Sequence, residues 1–157
     1  MPPQLLFDIS KIDLNHLQFG PDEIRRQIPH RDNMEMLSGV IWVDAKDDRI
    51  LGFKDVREDE FWVSGHIPGR PLFPGVLMIE AGAQLACFYI KKYLKWQGFV
   101  GMSAIQECKF RATVLPNQRL YLLATKVWER HHRICCNLQG IINGQIAFEA
   151  QMIGVEF

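Results

Sequence analysis

Two residues that can transfer protons lie close together in the sequence, in residues 65–84 (GHIPGRPLFPGVLMIEAGAQ). His66 begins this stretch, and Glu80 lies in the apolar run that ends it. A histidine in a loop can act as a general base near neutral pH. A carboxyl among apolar neighbours loses contact with water, so we predict that desolvation raises the pKa of Glu80 and makes it a proton donor.

The residues between the histidine and the acid predict a rigid loop that leads into a helix. This loop contains Pro68, Gly69, Pro71, Pro74 and Gly75. Such a loop has little conformational entropy to lose when a ligand binds. Gly75 falls in the first turn of the predicted helix, where backbone N–H groups lack intrahelical partners and favour a negatively charged oxygen. Gln84, four residues after Glu80, lies on the same helix face and can orient the carboxyl.

A base, an acid and an anion-stabilising helix end are the groups that proton abstraction next to a carbonyl requires. The helix N terminus would hold the enolate oxygen. Taken singly, a histidine in a turn, a buried glutamate and a Pro/Gly loop each have a simpler structural explanation. Their combination in one short segment favours catalysis.

The remaining sequence predicts one long helix and a series of strands. Residues 74–97 carry apolar side chains around nearly the whole circumference, so we expect a helix whose first half is buried on all sides. Strands are predicted at 38–44, 49–56, 100–115, 118–128, 132–142 and 145–155, with a short extended piece at 61–65. The pair Asn143-Gly144 is a strong hairpin signal. The fold class is therefore α+β, with an antiparallel sheet curved around one helix.

Length and composition indicate one domain. The chain has 157 residues, of which 48% are hydrophobic and 23% charged, and its formal net charge is zero. We expect residues 1–20 to form a loosely attached N-terminal extension and residues 21–157 to form a single domain, which begins with a short helix at Pro21.

The sequence gives no indication of a nucleic-acid or membrane protein. The balanced charge argues against binding to nucleic acid or to a membrane surface. No apolar run reaches the roughly 20 residues of a membrane-spanning helix. The first residues lack the layout of a signal peptide, and the four cysteines form no CxxC motif. We therefore expect a cytoplasmic protein with free thiols.

The motifs resemble those of the FabZ/FabA-type β-hydroxyacyl-acyl-carrier-protein dehydratases. The family pattern G-H-F-P-x-x-P-x-x-P-G-V, followed by E-A-x-A-Q, is similar to residues 65–76 and 80–84. Shorter similarities lie at residues 28–32 (IPHRD) and 109–120 (KFRATVLPNQRL). The chain departs from the family at Ile67, where phenylalanine is usual, and in the residues that follow the P-H-R motif.

The resemblance implies the hotdog fold, in which a curved antiparallel sheet wraps one long helix. It implies that His66 is the catalytic base and Glu80 the catalytic acid. The N–H of Gly75 would hold the thioester carbonyl, and Gln84 would position the acid. The substrate loop would further include Ile67, Pro68, Phe73, Pro74 and Val76.

The implied reaction removes water from a 3-hydroxyacyl thioester on acyl carrier protein and gives the trans-2-enoyl thioester in fatty acid biosynthesis. It implies no metal or redox cofactor. Coenzyme A is the alternative carrier. The resemblance also implies a homodimer in which each site combines the histidine of one protomer with the glutamate of the other, and it leaves open an assembly of three such dimers.

An acidic carrier protein requires basic residues near the site. The sequence offers Arg70, Lys91, Lys92, Lys95, Lys109 and Arg111. His30, in the P-H-R motif, is interpreted as structural.

Two other functions stay open at this stage. A hotdog thioesterase would use a carboxylate to activate water and would not need His66. A non-catalytic acyl-binding subunit would keep the fold and tolerate loss of the acid–base pair. The presence of both His66 and Glu80 favours the dehydratase.

Overall fold

The computed structural model describes residues 3–157. Its two helices are α1 (Pro21–Gln27) and α2 (Gly75–Lys92), and a single 3-10 turn covers Asp32–Met34. Its strands are β1 (Gly39–Asp44), β2 (Arg49–Asp55), β3 (Val100–Phe110), β4 (Arg119–Arg130), β5 (Arg133–Ile142) and β6 (Gln145–Glu156). Among the described residues, no helix combines the length and the apolar character needed to cross a lipid bilayer.

The six strands form one antiparallel sheet in the order β1-β2-β4-β5-β6-β3. Strands β5 and β6 are joined at Asn143 and Gly144, whose φ angles of 49° and 75° are those that this dipeptide adopts in a tight hairpin. The sheet curves around α2, which contacts β2, β4, β5 and β6. The predicted α+β architecture, a hotdog fold, is confirmed.

Three local predictions are wrong. Residues 61–65 form turns rather than an extended piece: Trp62 is buried in the core and Val63 packs partly against it, while Phe61 is exposed. Helix α2 ends at Lys92 instead of residue 97. The second half of α2 is its buried part, whereas Val76 in the first turn is 72% exposed. The first turn of α2 is therefore open to a ligand or to another protomer.

The N-terminal segment packs on the face of the sheet opposite α2, so the expected loose attachment is wrong. Phe7 is buried against Ile41 of β1, Leu51 of β2 and Leu123 of β4. Gln139 of β5 fixes the segment further. Its side-chain oxygen accepts a hydrogen bond from the N–H of residue 6 at 2.8 Å, and its amide donates to the carbonyl of residue 4 at 2.8 Å.

Replacing Phe7 with alanine should lower the free energy of unfolding by about 3 kcal/mol, the usual cost of removing a buried aromatic ring. Urea unfolding followed by tryptophan fluorescence measures this change. Lys11→Ala is the matched control, because Lys11 lies in the same segment and is exposed. Equal stabilities of the two variants would show that the segment contributes nothing to the sheet.

The two edges of the sheet are protected to different degrees. At the β1 edge, the N–H of Phe19 donates to the carbonyl of Val40, and the N–H of Val40 donates back to Phe19. At the other edge, β3 pairs only with β6, so one side of its eleven residues has no strand partner within residues 3–157. Met102 and Phe110 on β3 are about half exposed. A long, partly apolar edge of this kind is a surface for pairing with another chain.

Candidate active site

Glu80 lies in the second turn of α2, on the wall of a cavity of about 70 Å³. Its Oε1 accepts a hydrogen bond from Nε2 of Gln84 at 2.8 Å and lies 3.3 Å from Nε2 of His30. The rest of the wall comes from Ala83 and Cys87 of α2, residues 100–102 of β3, and Met152 and Gly154 of β6. Apart from the thiol, these side chains are apolar or absent, so the polar side chains of the wall are those of His30, Glu80 and Gln84.

The pKa of Glu80 is lowered, which contradicts the predicted rise. Burial raises the pKa of this carboxyl, but the interactions with His30 and Gln84 stabilise the carboxylate and together outweigh burial. The resting carboxyl is therefore ionised at neutral pH. The sequence reasoning counted the apolar neighbours along the helix and missed the imidazole, which comes from a distant segment.

Gln84 holds the carboxyl in place. The side chain is only 1% exposed. Its amide donates to Glu80 and, at 2.7 Å, to the carbonyl of Met34. Its oxygen accepts hydrogen bonds from the N–H groups of Met36 at 2.9 Å and Leu37 at 3.2 Å. Every polar atom of the amide is hydrogen-bonded, which restrains Gln84 and, through it, the position of Oε1 of Glu80.

One ring nitrogen of His66, Nε2, has no hydrogen-bond partner among residues 3–157. The other nitrogen, Nδ1, lies 2.8 Å from the carbonyl oxygen of Leu72, which can only accept a hydrogen bond. Nδ1 therefore carries the proton, and Nε2 keeps the lone pair that a base needs. The backbone N–H of His66 donates to the carbonyl of Trp62 at 2.8 Å. Ile67 follows with a φ of 56° and is 45% exposed.

The loop that carries His66 is anchored by a buried aromatic pair and a buried ion pair. Phe73 is 2% exposed, and its ring centroid lies 5.3 Å from that of Trp62. Beneath it, Nζ of Lys54 lies 2.6 Å from Oε1 of Glu60, and both side chains are almost fully buried. Of the substrate-loop residues, Phe73 and Pro74 thus lie in the interior, whereas Ile67, Pro68 and Val76 are exposed.

Lys54→Met should lower the free energy of unfolding by about 3–5 kcal/mol, because it leaves the carboxylate of Glu60 buried without its cation. Urea unfolding measures the loss. The double variant Lys54→Met/Glu60→Gln removes both charges and should recover a large part of it. A single variant as stable as the wild type would mean that the ion pair does not hold the loop.

Gly75 begins α2 close to the ring of Phe110, which would have to move to admit a side chain here. A Cβ at this position would lie 2.8 Å from the ring of Phe110. The carbonyl of Pro74 accepts from the N–H groups of residues 77 and 78. Within residues 3–157, the N–H groups of Gly75 and Val76 donate to no partner. They are free to bind an oxygen of a ligand, and the helix dipole favours negative charge there.

A single chain brings only part of the predicted site together. Glu80 and Gln84 meet, but neither His66 nor Gly75 lines the cavity that contains Glu80. His30, interpreted from the sequence as a structural residue of the P-H-R motif, also lines that cavity.

A basic groove of about 380 Å³ adjoins the cavity and shares Cys87 and Val100 with it. We define the basic groove by its four cations, Arg25, Arg26, Arg31 and Lys91. Arg25 pairs with Glu35, and Arg26 pairs with Glu23. Within the described chain, Arg31 and Lys91 donate only to backbone carbonyls and pair with no carboxylate.

The other basic residues named from the sequence are placed differently. Lys92 pairs with Glu23, and Arg111 pairs with Glu149. Arg70 and Lys109 are exposed, and Lys95 lies on the rim of a separate groove. Lys91 is thus the only one of the six that lines the basic groove.

The sequence matches one protein family and several of its members. Residues 28–151 match the model of the FabA-like domain. The 3-hydroxyacyl-[acyl-carrier-protein] dehydratase FabZ of Rickettsia felis is 35% identical over 131 residues, which are 82% of this chain and 90% of that protein. FabZ of Desulfotalea psychrophila is 29% identical over 80% of this chain and 85% of the relative.

Solved structures share the fold at lower sequence identity. The dehydratase heterocomplex ApeI:P from Xenorhabdus doucetiae has a TM-score of 0.71 at 16% identity, covering 85% of this chain and 90% of that one. A sigma28-regulated virulence protein from Campylobacter jejuni has a TM-score of 0.66 at 15% identity, with coverage of 89% and 94%. These likenesses concern the fold alone.

Proposed function

Because the chain belongs to the FabA-like family and lies in its FabZ branch, we propose that it is a hydro-lyase of fatty acid biosynthesis. It removes water from a 3-hydroxyacyl thioester on acyl carrier protein and gives the trans-2-enoyl thioester. The observation that carries this proposal is the Glu80 carboxyl, held by Gln84 on the wall of a cavity, in a chain that also presents the free Nε2 of His66.

In the proposed reaction, Nε2 of His66 takes the proton from C2 of the substrate. The electrons of that C–H bond move toward the thioester carbonyl, whose oxygen accepts hydrogen bonds from the free N–H groups of Gly75 and Val76. The same electron pair then forms the C2–C3 double bond as the C3–O bond breaks. Glu80, in its protonated form, gives its proton to the departing hydroxyl, which leaves as water.

The hydrogen bonds of Glu80 support the use of one particular oxygen. Gln84 and His30 both lie against Oε1. Within the described chain, Oε2 accepts no hydrogen bond, so it is the oxygen that carries the transferred proton. Because the resting carboxyl is ionised, dehydration proceeds from the less populated form in which Glu80 carries the proton. In the hydration direction the carboxylate takes a proton from water.

We propose that two copies pair through the free edge of β3, and that each site combines His66 of one protomer with the partner's Glu80. Three observations support this arrangement. The β3 edge has no strand partner in residues 3–157, the first turn of α2 is exposed at Val76, and His66 is absent from the cavity of its own chain. Phe110, which packs on Gly75, lies at the end of that same edge.

The basic groove is the proposed contact for the acidic carrier protein. Arg31 and Lys91 are cations without a carboxylate partner in the described residues, and the groove adjoins the cavity that holds Glu80. Opposite charge on the two partners favours rapid encounter. We further propose that residues 21–157 are the catalytic domain, that residues 1–20 cover its outer face, and that the protein is cytoplasmic, since its four cysteines are free thiols.

The test is reversible hydration of a short 2-enoyl thioester, followed by loss of the conjugated thioester absorbance, with carrier-protein and coenzyme A forms compared. The proposal predicts turnover of both forms, with the higher kcat/KM for the carrier-bound one. Release of free thiol without hydration would replace the proposal with a thioesterase. Acyl binding with neither activity would identify a non-catalytic subunit.

A further inference from the structure

The P-H-R motif, residues 29–31, places the imidazole of His30 at the cavity. Pro29 follows Ile28, which has left the helical conformation with φ −119° and ψ 150° and ends α1. The guanidinium of Arg31 then donates to the carbonyls of Arg25, Ile28 and His30, at 2.9, 2.9 and 2.7 Å. This arginine closes the turn on both sides of His30 and fixes its backbone.

The imidazole of His30 has a single polar contact in the described chain. Its Nε2 lies 3.3 Å from Oε1 of Glu80, while Nδ1 is buried and has no hydrogen-bond partner. A buried ring nitrogen without a partner is unfavourable, so a purely structural histidine would be expected to pair both nitrogens. A proton on Nε2 leaves only a lone pair on the buried Nδ1, so this tautomer suits the contact with Glu80.

Gln84 and His30 approach the same carboxylate oxygen from different parts of the chain. Gln84 comes from the next turn of α2, at 2.8 Å, and His30 comes from the turn after α1. The amide of Gln84 donates a hydrogen bond to Oε1, and the ring nitrogen of His30 lies 3.3 Å from the same oxygen, so the two contacts restrain the carboxyl from both sides, while Oε2 accepts no hydrogen bond in the described chain. Neither contact alone would prevent rotation about the last bond of the glutamate.

We propose that His30 is a positioning residue for the dehydration reaction: with Gln84 it holds Oε1 of Glu80, so that Oε2 is presented to the substrate. This inference rests on the proposed function. His30 does not touch the reacting atoms and acts through the carboxyl. The contact with His30 also favours the ionised form of the Glu80 carboxyl, consistent with the lowered pKa of Glu80.

The other ionisable groups around His30 should not obscure the titration of the Glu80 carboxyl. On α1, Arg25 is paired with Glu35, whose pKa is lowered by that bond. On α2, burial raises the pKa of Cys87 to about 11, so this thiol stays neutral. The cavity residues from β3 and β6 carry no ionisable side chain. In the proposed dimer, the partner's His66 would also face the cavity.

The experiment titrates the Glu80 carboxyl by NMR in protein with carbon-13 in its glutamate side-chain carboxyls, using Glu80→Gln to assign the signal. In His30→Leu we expect the pKa of Glu80 to rise by about one unit, since a favourable partner is lost. His30→Gln keeps an N–H donor of similar reach and should restore at least half of the shift. His16→Leu, which removes an exposed histidine, is the matched control and should leave the titration unchanged.

Kinetics of the same variants separate positioning from substrate binding. His30→Leu should lower kcat by roughly tenfold with KM changed less than about twofold, since a misaligned proton donor slows chemistry and leaves binding intact. His30→Gln should recover most of kcat. Should His30→Leu fail to fold, His30→Ala is the second donor-free variant and takes its place in both measurements.

An unchanged pKa of Glu80 in the donor-free variants would overturn the proposal. An equal loss of kcat in His30→Gln and His30→Leu would also overturn it, because a hydrogen bond could not then be the cause. The titration needs no substrate. If the protein hydrates no thioester, the proposed function fails, while the titration still decides whether His30 holds the carboxyl.

Discussion

Glu80→Gln should lower kcat for dehydration by about 10²–10⁴-fold, the usual contribution of one positioned proton-transfer group. Glutamine has nearly the same volume, and its side-chain oxygen can still accept the hydrogen bond from Gln84. The substitution therefore leaves the shape of the cavity intact and removes only the group that gains and loses a proton. The assay is the interconversion of 3-hydroxyacyl and 2-enoyl thioesters.

The matched control for this prediction is Glu129→Gln. Glu129 lies near the end of β4 and contacts Lys126 and Trp96, away from the cavity. We expect wild-type activity in the control. If Glu80→Gln kept more than about a tenth of kcat, an effect far below one proton-transfer step, the acid would have to be sought elsewhere.

His66→Ala is the second variant with a large expected effect, again about 10²–10⁴-fold in kcat. The substitution removes Nε2, which is the proposed acceptor of the C2 proton, and also the bond from Nδ1 to the carbonyl of Leu72. Because a cavity remains where the ring was, added imidazole should restore part of the rate as its concentration rises. Both effects are measured in the thioester assay.

His132→Ala serves as the control for His66→Ala. His132 is 79% exposed and pairs with Glu156 at the far end of β6. Its loss should leave kcat unchanged, and imidazole should have no effect on it. A His66→Ala enzyme that approaches wild-type kcat without imidazole would remove His66 from the mechanism.

The sequence predicted those parts of the fold that depend on local patterns. The turn at Asn143 and Gly144 follows from the backbone angles that these two residues favour. The six strands and the long helix follow from apolar periodicity, although the helix ends early at Lys92. Residues 61–65 form turns in which the neighbouring Trp62 and Val63 both pack toward the core, an arrangement that strand periodicity does not predict.

Features that depend on contacts distant in the sequence were not predictable in this way. The pKa of Glu80 is set by His30, fifty positions away, so reasoning from the helix alone gave the wrong sign. Gln84 was expected to orient the acid, but nothing indicated its bonds to residues 34, 36 and 37. The docking of Phe7 on the sheet was missed for the same reason.

Mixed dimers provide the most direct test of the central claim, which is that each active site joins His66 of one protomer to the partner's Glu80. His66→Ala and Glu80→Gln chains carrying different affinity tags are co-expressed, and the species that contains both is purified. In that dimer one site lacks both groups and the other is intact, so a shared site should give about half of the wild-type activity per dimer. Activity no higher than that of the two single variants would contradict the shared site, because it would mean that both groups must come from the same chain.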